Sequence, residues 1–192
     1  MSHVRSKTEL RRELRLILKN QAERDRAAAS AEAGERLRGQ AVWKEARSVL
    51  LYSAIAGELD LSPLIDLALE SGKIALLPRF AAGMGTYEAV RVSHLQRDCA
   101  PGKFGIAEPG AHCVVFPLNS LDLALAPGLG FDLVGHRLGR GQGYYDRLLA
   151  QIAGAKCGVA FDSQVVGEIP AEAHDIHMNF ILTPTRWLEI SE

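Results

Sequence analysis

A glycine- and arginine-rich loop in the second half of the chain has the residue types needed to bind an anion. Its centre is RLGRGQGYYDR at 137–147. An apolar run at 121–126 predicts a buried strand before it, and 144–153 predicts a helix after it. This order presents backbone N–H groups and the positive end of a helix dipole to an anion. A phosphate-bearing ligand is our first hypothesis, and a loop whose glycines only make tight turns is the alternative.

The residue types in this loop favour phosphate, but its spacing matches neither common nucleotide motif. One arginine guanidinium can donate to two phosphate oxygens at once. Three arginines stand in or beside the loop, namely Arg137, Arg140 and Arg147. No Gly-Lys-Ser/Thr follows the glycines, so the loop is not a Walker A motif. The spacing Gly-x-Gly-x-Gly also differs from GxGxxG, so a dinucleotide site of the Rossmann kind has weak support.

Two aspartates are candidate magnesium ligands. Asp146 stands just inside the predicted helix, where it either complements the dipole or holds Mg²⁺ against a nucleotide. Asp175 follows in another loop and could supply a second oxygen. His174 and His177 flank it, but this spacing is a weak metal signal, and we expect a surface turn for both histidines.

The N-terminal segment predicts a helix over 7–26. Ser6 and Glu9 form a capping box, and an apolar stripe follows at helical spacing. Lys7 and Arg11 stand one turn apart on one face, where they either converge on a triphosphate or form an exposed pair. A second helix is predicted over 31–40, with Trp43 anchoring its end in the core.

Strands and helices alternate along the rest of the chain. Ser62 and Pro63 start a predicted helix as cap and first-turn proline, and Pro78 closes the strand after it. Segments 81–85 and 93–118 are predicted to be a hairpin turn and an irregular stretch. The predicted strands are 48–53, 73–77, 87–92, 121–126, 157–161 and 180–183, and the helix from Pro63 covers 63–71. This pattern predicts an α/β fold: one domain over 1–192, a three-layer sandwich with a mostly parallel, Rossmann-like central sheet and a helical N-terminus.

Further candidate ligand-binding residues follow from this fold. Ligands of open α/β sheets bind at the carboxyl ends of strands. Glu58, after the first strand, and the loop after Pro127 are therefore expected on the same rim. Asp60 is the nearer residue for capping the helix at 63, which leaves Glu58 as the functional candidate. Phe104 either lines an aromatic-ligand pocket or plugs the core.

Composition is that of a soluble globular protein, with 47% hydrophobic and 23% charged residues. No apolar run approaches the ~20 residues that span a bilayer, and the N-terminus lacks an apolar signal core. We therefore expect a cytoplasmic protein without a membrane partner. Three scattered cysteines fit a reducing compartment and argue against disulfides or a thiolate zinc site. Residues 1–47 hold 12 Lys/Arg against 7 Asp/Glu, but both signs interleave along helical periods, which favours a solvated helix face over nucleic-acid binding.

Read together, these motifs resemble the 5-formyltetrahydrofolate cyclo-ligase family, also called 5,10-methenyltetrahydrofolate synthetase. The matching segments run in order along nearly the whole chain: KTELR, GELD, SPLIDLALESGKIALLPR, FGIAEP, LDLALAPGLGFDLVGHRLGRGQGYYDRLL, GVAFDSQVV, IPAEAHD and ILTP. The resemblance implies ATP- and Mg²⁺-dependent cyclisation of 5-formyltetrahydrofolate to 5,10-methenyltetrahydrofolate, with release of ADP and phosphate. It also implies a phosphorylated formyl (iminophosphate) intermediate, and we expect a monomer whose partners are these small molecules.

The resemblance also implies roles for individual residues. Arg140 and Tyr144 would be catalytic, with Arg140 neutralising charge in the transition state. Asp146 and Asp175 would hold Mg²⁺. The ATP-binding residues would be Lys7, Arg11, Arg137, Gly139, Arg140, Gly141, Gln142, Gly143, Tyr144 and Tyr145. The folate-binding residues would be Tyr52, Glu58, Phe104 and Tyr144.

Three residues depart from the family pattern. Leu61 stands where threonine is frequent, Gln142 where some members have lysine, and Asn179 where aspartate is common. We expect Leu61 to alter folate contacts and Gln142 to weaken ATP affinity. An isomerase or transferase acting on a sugar phosphate or acyl-CoA, and a non-enzymatic folate-binding protein, remain the alternative functions. The presence of Arg137, Arg140 and Asp146 favours catalysis.

Overall fold

The computed structural model describes residues 5–20, 22–101, 107–172 and 175–191. No helix within these ranges is long and apolar enough to cross a membrane. The helices are α1 Lys7–Lys19, α2 Glu23–Arg38, α3 Ala41–Glu45, α4 Pro63–Glu70, α5 Leu95–Asp98 and α6 Tyr144–Leu149. The strands are β1 Ser48–Leu50, β2 Ile74–Ala81, β3 Thr86–Val92, β4 Cys99–Pro101, β5 Ala107–Pro109, β6 Leu123–Pro127, β7 Gly130–Asp132, β8 Arg137–Leu138, β9 Ala155–Val159, β10 Val165–Val166, β11 Phe180–Leu182 and β12 Trp187–Glu189.

Seven of these strands form the central sheet, in the order β12-β11-β9-β6-β1-β2-β3. The five inner strands pair in parallel, while β3 and β12 are antiparallel edges. The chain builds outward from β1 to β2 and β3 on one side, then returns to place β6, β9 and β11 on the other. The direction of winding therefore reverses between β1 and β6, and such a switch point opens a crevice at the carboxyl ends of the two strands.

Side chains alternate between the two faces of the sheet and build a core on each. One core joins Val49, Leu123 and Cys157 to the apolar stripe of α1 and to α2 and α4. The other joins Leu50, Ala124 and Ile181 to α6. Helices thus cover both faces, and the expected α/β fold with a mostly parallel central sheet and a helical N-terminus is confirmed.

The start of the first helix is as predicted, but its end is not. Ser6 and Glu9 make the reciprocal capping box, and Leu10, Leu14 and Leu18 are buried. The helix stops at Lys19, and α2 begins at Glu23 rather than at residue 31. The predictions were wrong here because the alanine-rich sequence of α2 has almost no apolar periodicity to mark where it starts.

Other boundaries also differ from the predictions. Pro78 does not close β2, which continues to Ala81. Beyond Leu76 the strand pairs only with β3, so the missing N–H of Pro78 costs no bond to β1. Ser62 precedes α4 without a side-chain capping bond. The stretch 93–118, expected to be irregular, contains α5, β4 and β5, and α6 ends at Leu149 rather than at residue 153.

Candidate active site

A cavity of about 530 Å³ lies at the switch point of the sheet. It is bordered by the segment after β1, the end of β6, the glycine-rich loop, the start of α6 and strand β5. Its lining residues are Ser53, Ile55, Ala56, Glu58, Pro78, Tyr87, Ala107, Glu108, Pro127, Gly128, Arg137, Gly139, Arg140, Gln142, Gly143, Tyr144, Tyr145 and Asp146. The expectation that Glu58 and the loop after Pro127 share one rim is therefore confirmed.

The glycine-rich loop needs glycine at two positions for conformational reasons. Gly141 has φ 108° and Gly143 has φ 66°, angles that glycine adopts without strain and that residues with a side chain rarely adopt. Gly143 precedes α6 without any side-chain cap. Because α6 has only six residues, the positive potential of the loop comes chiefly from its arginines rather than from a helix dipole.

Arg137 is the buried cation of the site. Its side chain is only 4% exposed, and its two terminal nitrogens donate to Pro127 O at 3.0 Å and to Asp146 Oδ1 at 2.5 Å. The guanidinium also lies 5.6 Å from the ring centre of Tyr145. Among the described residues nothing accepts from its Nε–H. A buried guanidinium N–H without an acceptor, on the wall of a cavity, fits an anionic ligand.

Helix α1 supports the loop from outside the cavity. Arg11 Nε donates to Gly139 O at 3.0 Å, and Arg15, one turn further on, approaches Arg140 O at 3.4 Å. Lys7 instead pairs with Asp175 at 2.7 Å. Burial alone would lower the pKa of Lys7, but its carboxylate partners raise it, so the ammonium stays charged. One face of α1 thus connects the glycine-rich loop with the segment that carries Asp175.

Glu58 is a buried carboxylate on the opposite wall. Its side chain is 8% exposed; Oε1 accepts from Arg140 Nη2 at 3.0 Å, and Oε2 accepts from Ile55 N at 3.2 Å. Burial raises the pKa of Glu58, and the nearby Arg140 guanidinium partly offsets that rise. Tyr52 does not line the cavity. It is fully buried, and its hydroxyl donates to Leu59 O, so it supports the turn that carries Glu58.

Aromatic rings form one wall of the site. Tyr144 contacts Phe80 and Tyr87 edge to face, with ring centres 5.2 and 5.8 Å apart. The guanidinium of Arg147 lies 5.2 Å from the Tyr144 ring and donates to Gly85 O at 2.9 Å, which ties the β2–β3 turn to α6. Such a wall suits the planar rings of an aromatic ligand.

The two candidate magnesium ligands each face a cation in this structure. Asp146 is paired with Arg137 and Asp175 with Lys7. Within the described ranges, no three His, Cys, Asp or Glu side chains cluster as a metal site would require. The donor chemistry still fits Mg²⁺, since this ion is usually held by one or two carboxylates together with substrate phosphates and water.

Several cavity residues were not among the sequence predictions. Tyr87 and Glu108 line the cavity, and Arg15 extends the cationic face of α1. The four-residue spacing of Lys7, Arg11 and Arg15 was a usable signal for Arg15; no sequence pattern singled out Glu108. Phe104 and His174 lie outside the described residues. His177, expected at a surface turn, is exposed and packs edge to face against His136.

Comparison with known proteins agrees with this geometry. The model of the 5-formyltetrahydrofolate cyclo-ligase family matches residues 3–184. The chain belongs to that family. A 5-formyltetrahydrofolate cyclo-ligase of Mycolicibacterium smegmatis is 34% identical over 95% of both chains. The Escherichia coli K12 enzyme of that name is 34% identical over 73% of this chain and 80% of its own. The resemblance inferred from the motifs is confirmed.

Solved structures of family members share the fold. The 5,10-methenyltetrahydrofolate synthetase of Aquifex aeolicus superposes with a TM-score of 0.86 at 34% identity, over 97% of this chain and 93% of its own. A synthetase of that name from Mycoplasma pneumoniae, at 20% identity, gives 0.74 over 94% and 99% and supports the fold alone.

The three departures from the family pattern have different surroundings. Gln142 lines the cavity, and Leu61 is buried in the core. Asn179 Oδ1 accepts from Lys156 N at 2.9 Å, so it joins the chain ahead of β11 to β9.

Proposed function

We propose that this protein cyclises 5-formyltetrahydrofolate to 5,10-methenyltetrahydrofolate and hydrolyses ATP to ADP and phosphate in doing so. The observation that carries the proposal is that Arg140 and Glu58 meet across one cavity, at 3.0 Å. Arg140 belongs to the glycine-rich loop, which we propose binds phosphate, and Glu58 offers carboxylate oxygens to the N–H groups of a pterin. Membership of the cyclo-ligase family supports the same reaction.

The nucleotide would occupy the loop side of the cavity. Arg137, with its free Nε–H, and Arg140 would bind the phosphates, while Lys7 and Arg11 would approach them from α1. Gly139, Gly141 and Gly143 have no side chains that would obstruct a phosphate bound next to them. Asp146 and Asp175 would exchange their present cations for Mg²⁺, which supplies charge neutralisation on the phosphates.

The folate would occupy the side formed by Glu58 and the aromatic wall. Glu58 would accept hydrogen bonds from the pterin, and Tyr144, which also lines the cavity, would border both ligands. Tyr52 would act indirectly, by holding the Glu58 turn. Phe104 is carried over from the family motif as a neighbour of the pterin.

Ring closure needs the formyl oxygen to become a good leaving group. In the proposed first step that oxygen attacks the γ-phosphorus, and the bond to ADP breaks. In the second, N10 bonds to the formyl carbon, the carbon–oxygen bond breaks, phosphate leaves and N10 loses its proton. The residues would position the reactants and neutralise charge, which is the usual task of protein groups in phosphoryl transfer. Arg140 would stabilise the charge on the transferring phosphoryl group.

The deciding experiment mixes the purified protein with ATP, Mg²⁺ and 5-formyltetrahydrofolate and follows methenyl-folate absorbance together with phosphate release. We expect one phosphate for each methenyl-folate formed. Cyclisation without phosphate release, or phosphate release without cyclisation, would contradict the proposal. Omitting each component in turn is the control.

A further inference from the structure

We infer that Arg140, besides its proposed contact with the phosphoryl group, controls the folate end of the cavity: it pairs with Glu58 until a nucleotide phosphate attracts its guanidinium. Each substrate then assists the binding of the other. This inference rests on the proposed function, because it assumes that 5-formyltetrahydrofolate and ATP are the two ligands of the cavity.

The first support is the asymmetry of the ion pair. Glu58 is 8% exposed and holds a donor on each oxygen, from Arg140 and from the backbone N–H of Ile55. Arg140 is 40% exposed, and among the described residues its side chain makes no other hydrogen bond or ion pair. The carboxylate is therefore the fixed partner, and the guanidinium is the partner that can leave.

The second support is that α1 holds the backbone of Arg140, whereas among the described residues its side chain is held only by Glu58. Arg11 donates to Gly139 O at 3.0 Å, and Arg15 approaches the carbonyl of Arg140 itself at 3.4 Å. The loop is thereby anchored to α1 on either side of the Cα atom. Arg140 and Glu58 line the same cavity, so we expect rotation of the Arg140 side chain to move its guanidinium from Glu58 to a bound phosphate.

The coupling follows from sharing one ion pair. Whichever ligand binds first must break the Arg140–Glu58 contact, and the second ligand then meets a partner that is already released. By linkage the gain is the same in either order. A phosphate attracts the guanidinium through charge-assisted bonds. Once Arg140 has left, the buried charge of Glu58 is costly until N–H donors replace it, and the pterin carries such donors.

The test measures 5-formyltetrahydrofolate binding by calorimetry at one fixed, mildly alkaline pH. The full-length protein is titrated with and without Mg²⁺ and a non-hydrolysable ATP analogue. We expect the analogue to lower the folate Kd about tenfold, within the usual range of coupling between sites. Arg140→Ala should bind folate alone at least as tightly as the wild type, because nothing has to be displaced, and the analogue should no longer change its Kd.

Two further variants separate positioning from a general structural effect. Arg186→Ala is the matched control. Arg186 is also 40% exposed, and its Nε lies 3.1 Å from Oδ1 of Asp162. This ion pair is not part of the cavity lining. The variant should keep the wild-type coupling. Glu58→Gln removes the charge that holds Arg140 and should also abolish the coupling, so it tests the inference should Arg140→Ala fail to fold.

If the folate Kd of the wild-type protein is the same with and without the ATP analogue, the inference is overturned. An Arg140→Ala variant that binds folate alone more weakly than the wild type does would also overturn it, because Arg140 would then contact the folate directly. Coupled binding without cyclisation would contradict the proposed function instead. An active enzyme without coupling would contradict only this inference.

Discussion

The hydroxyl of Tyr52 donates a 2.6 Å hydrogen bond to the carbonyl of Leu59 and so fixes the turn that carries Glu58. Burial, and then the nearby Glu58 charge, raises the pKa of Tyr52 well above its usual value. The phenol therefore remains a donor at any physiological pH. A residue beneath the cavity thus sets the position of a carboxylate that lines it.

Tyr52→Phe should lower stability and weaken folate binding while leaving nucleotide affinity unchanged. The substitution leaves a buried carbonyl without its donor, which costs about 1–2 kcal/mol. Urea denaturation measures the stability, and calorimetry with each ligand measures the two affinities. Ser71→Ala, which removes an exposed hydroxyl bond to Leu67 O at the end of α4, is the control. Equal loss of both affinities would contradict a role confined to the Glu58 turn.

Arg137→Ala should destabilise the protein by about 3 kcal/mol, because it leaves Asp146 without its cation and opens a space beside Tyr145. Nucleotide affinity should fall more than tenfold, about 1.4 kcal/mol or more. Arg137→Lys should recover part of the stability but not the two-pronged contact. Arg38→Ala, at an exposed pair with Glu35, should cost less than about 1 kcal/mol. A nucleotide affinity that survives Arg137→Ala would count against the phosphate role.

Folate affinity should fall as the pH is lowered and Glu58 becomes protonated. Because the pKa of Glu58 is raised, this loss should begin at a higher pH than the ordinary glutamate value of 4.5 would give. The protonated carboxyl offers fewer acceptor sites to the pterin. Glu58→Gln should bind more weakly at neutral pH and lose this acid limb. Calorimetry over a pH series checks both statements, and an unchanged acid limb in the variant would assign the titration to another group.

The same shift predicts an effect on stability. The folded-state pKa of Glu58 is raised, so ionisation costs more in the folded chain than in the unfolded one. This cost is absent below the unfolded-state pKa, grows as the pH rises from that value to the folded-state pKa, and is constant above it. Glu58→Gln should therefore gain stability relative to the wild type as the pH rises through that window. The urea denaturation midpoints of the variant and the wild type, measured across this pH range, test whether the variant gains stability as the pH rises.

Gly128→Ala should destabilise the fold by about 2 kcal/mol, because an added Cβ would lie 2.8 Å from the Phe131 ring. It would also lie 3.3 Å from Cγ of Arg137, so we expect nucleotide affinity to fall. Gly167→Ala is the control, since its Cβ would have no neighbour within 4 Å. A fully stable Gly128→Ala variant would show that Phe131 can move aside.

Asp146→Ala should raise the Mg²⁺ concentration needed for nucleotide-analogue binding, since one of the two proposed carboxylate ligands is lost. The check is a Mg²⁺ titration followed by calorimetry at fixed analogue concentration. Asp66→Ala, on the exposed face of α4, should leave the titration unchanged. If Asp146→Ala titrates like the wild type, Asp146 serves Arg137 and not the metal.

The sequence by itself determined the fold class and the family. Alternating apolar strands and helices specify a parallel sheet, because their signal is local and periodic, and the loop after Pro127 predicts an anion-binding element. The placement of Glu58 on the same rim as the loop also followed, since parallel strands place their carboxyl ends at one edge.

Only the tertiary structure decided which charges meet. Arg140 and Glu58 are 82 positions apart, and Lys7 and Asp175 are 168 apart, and no local pattern specifies such pairs. It also placed Tyr52 beneath the cavity and Glu108 on its wall, because burial depends on the neighbouring strands. The boundary between α1 and α2 and the continuation of β2 through Pro78 were likewise set by packing and strand pairing, which override weak local signals.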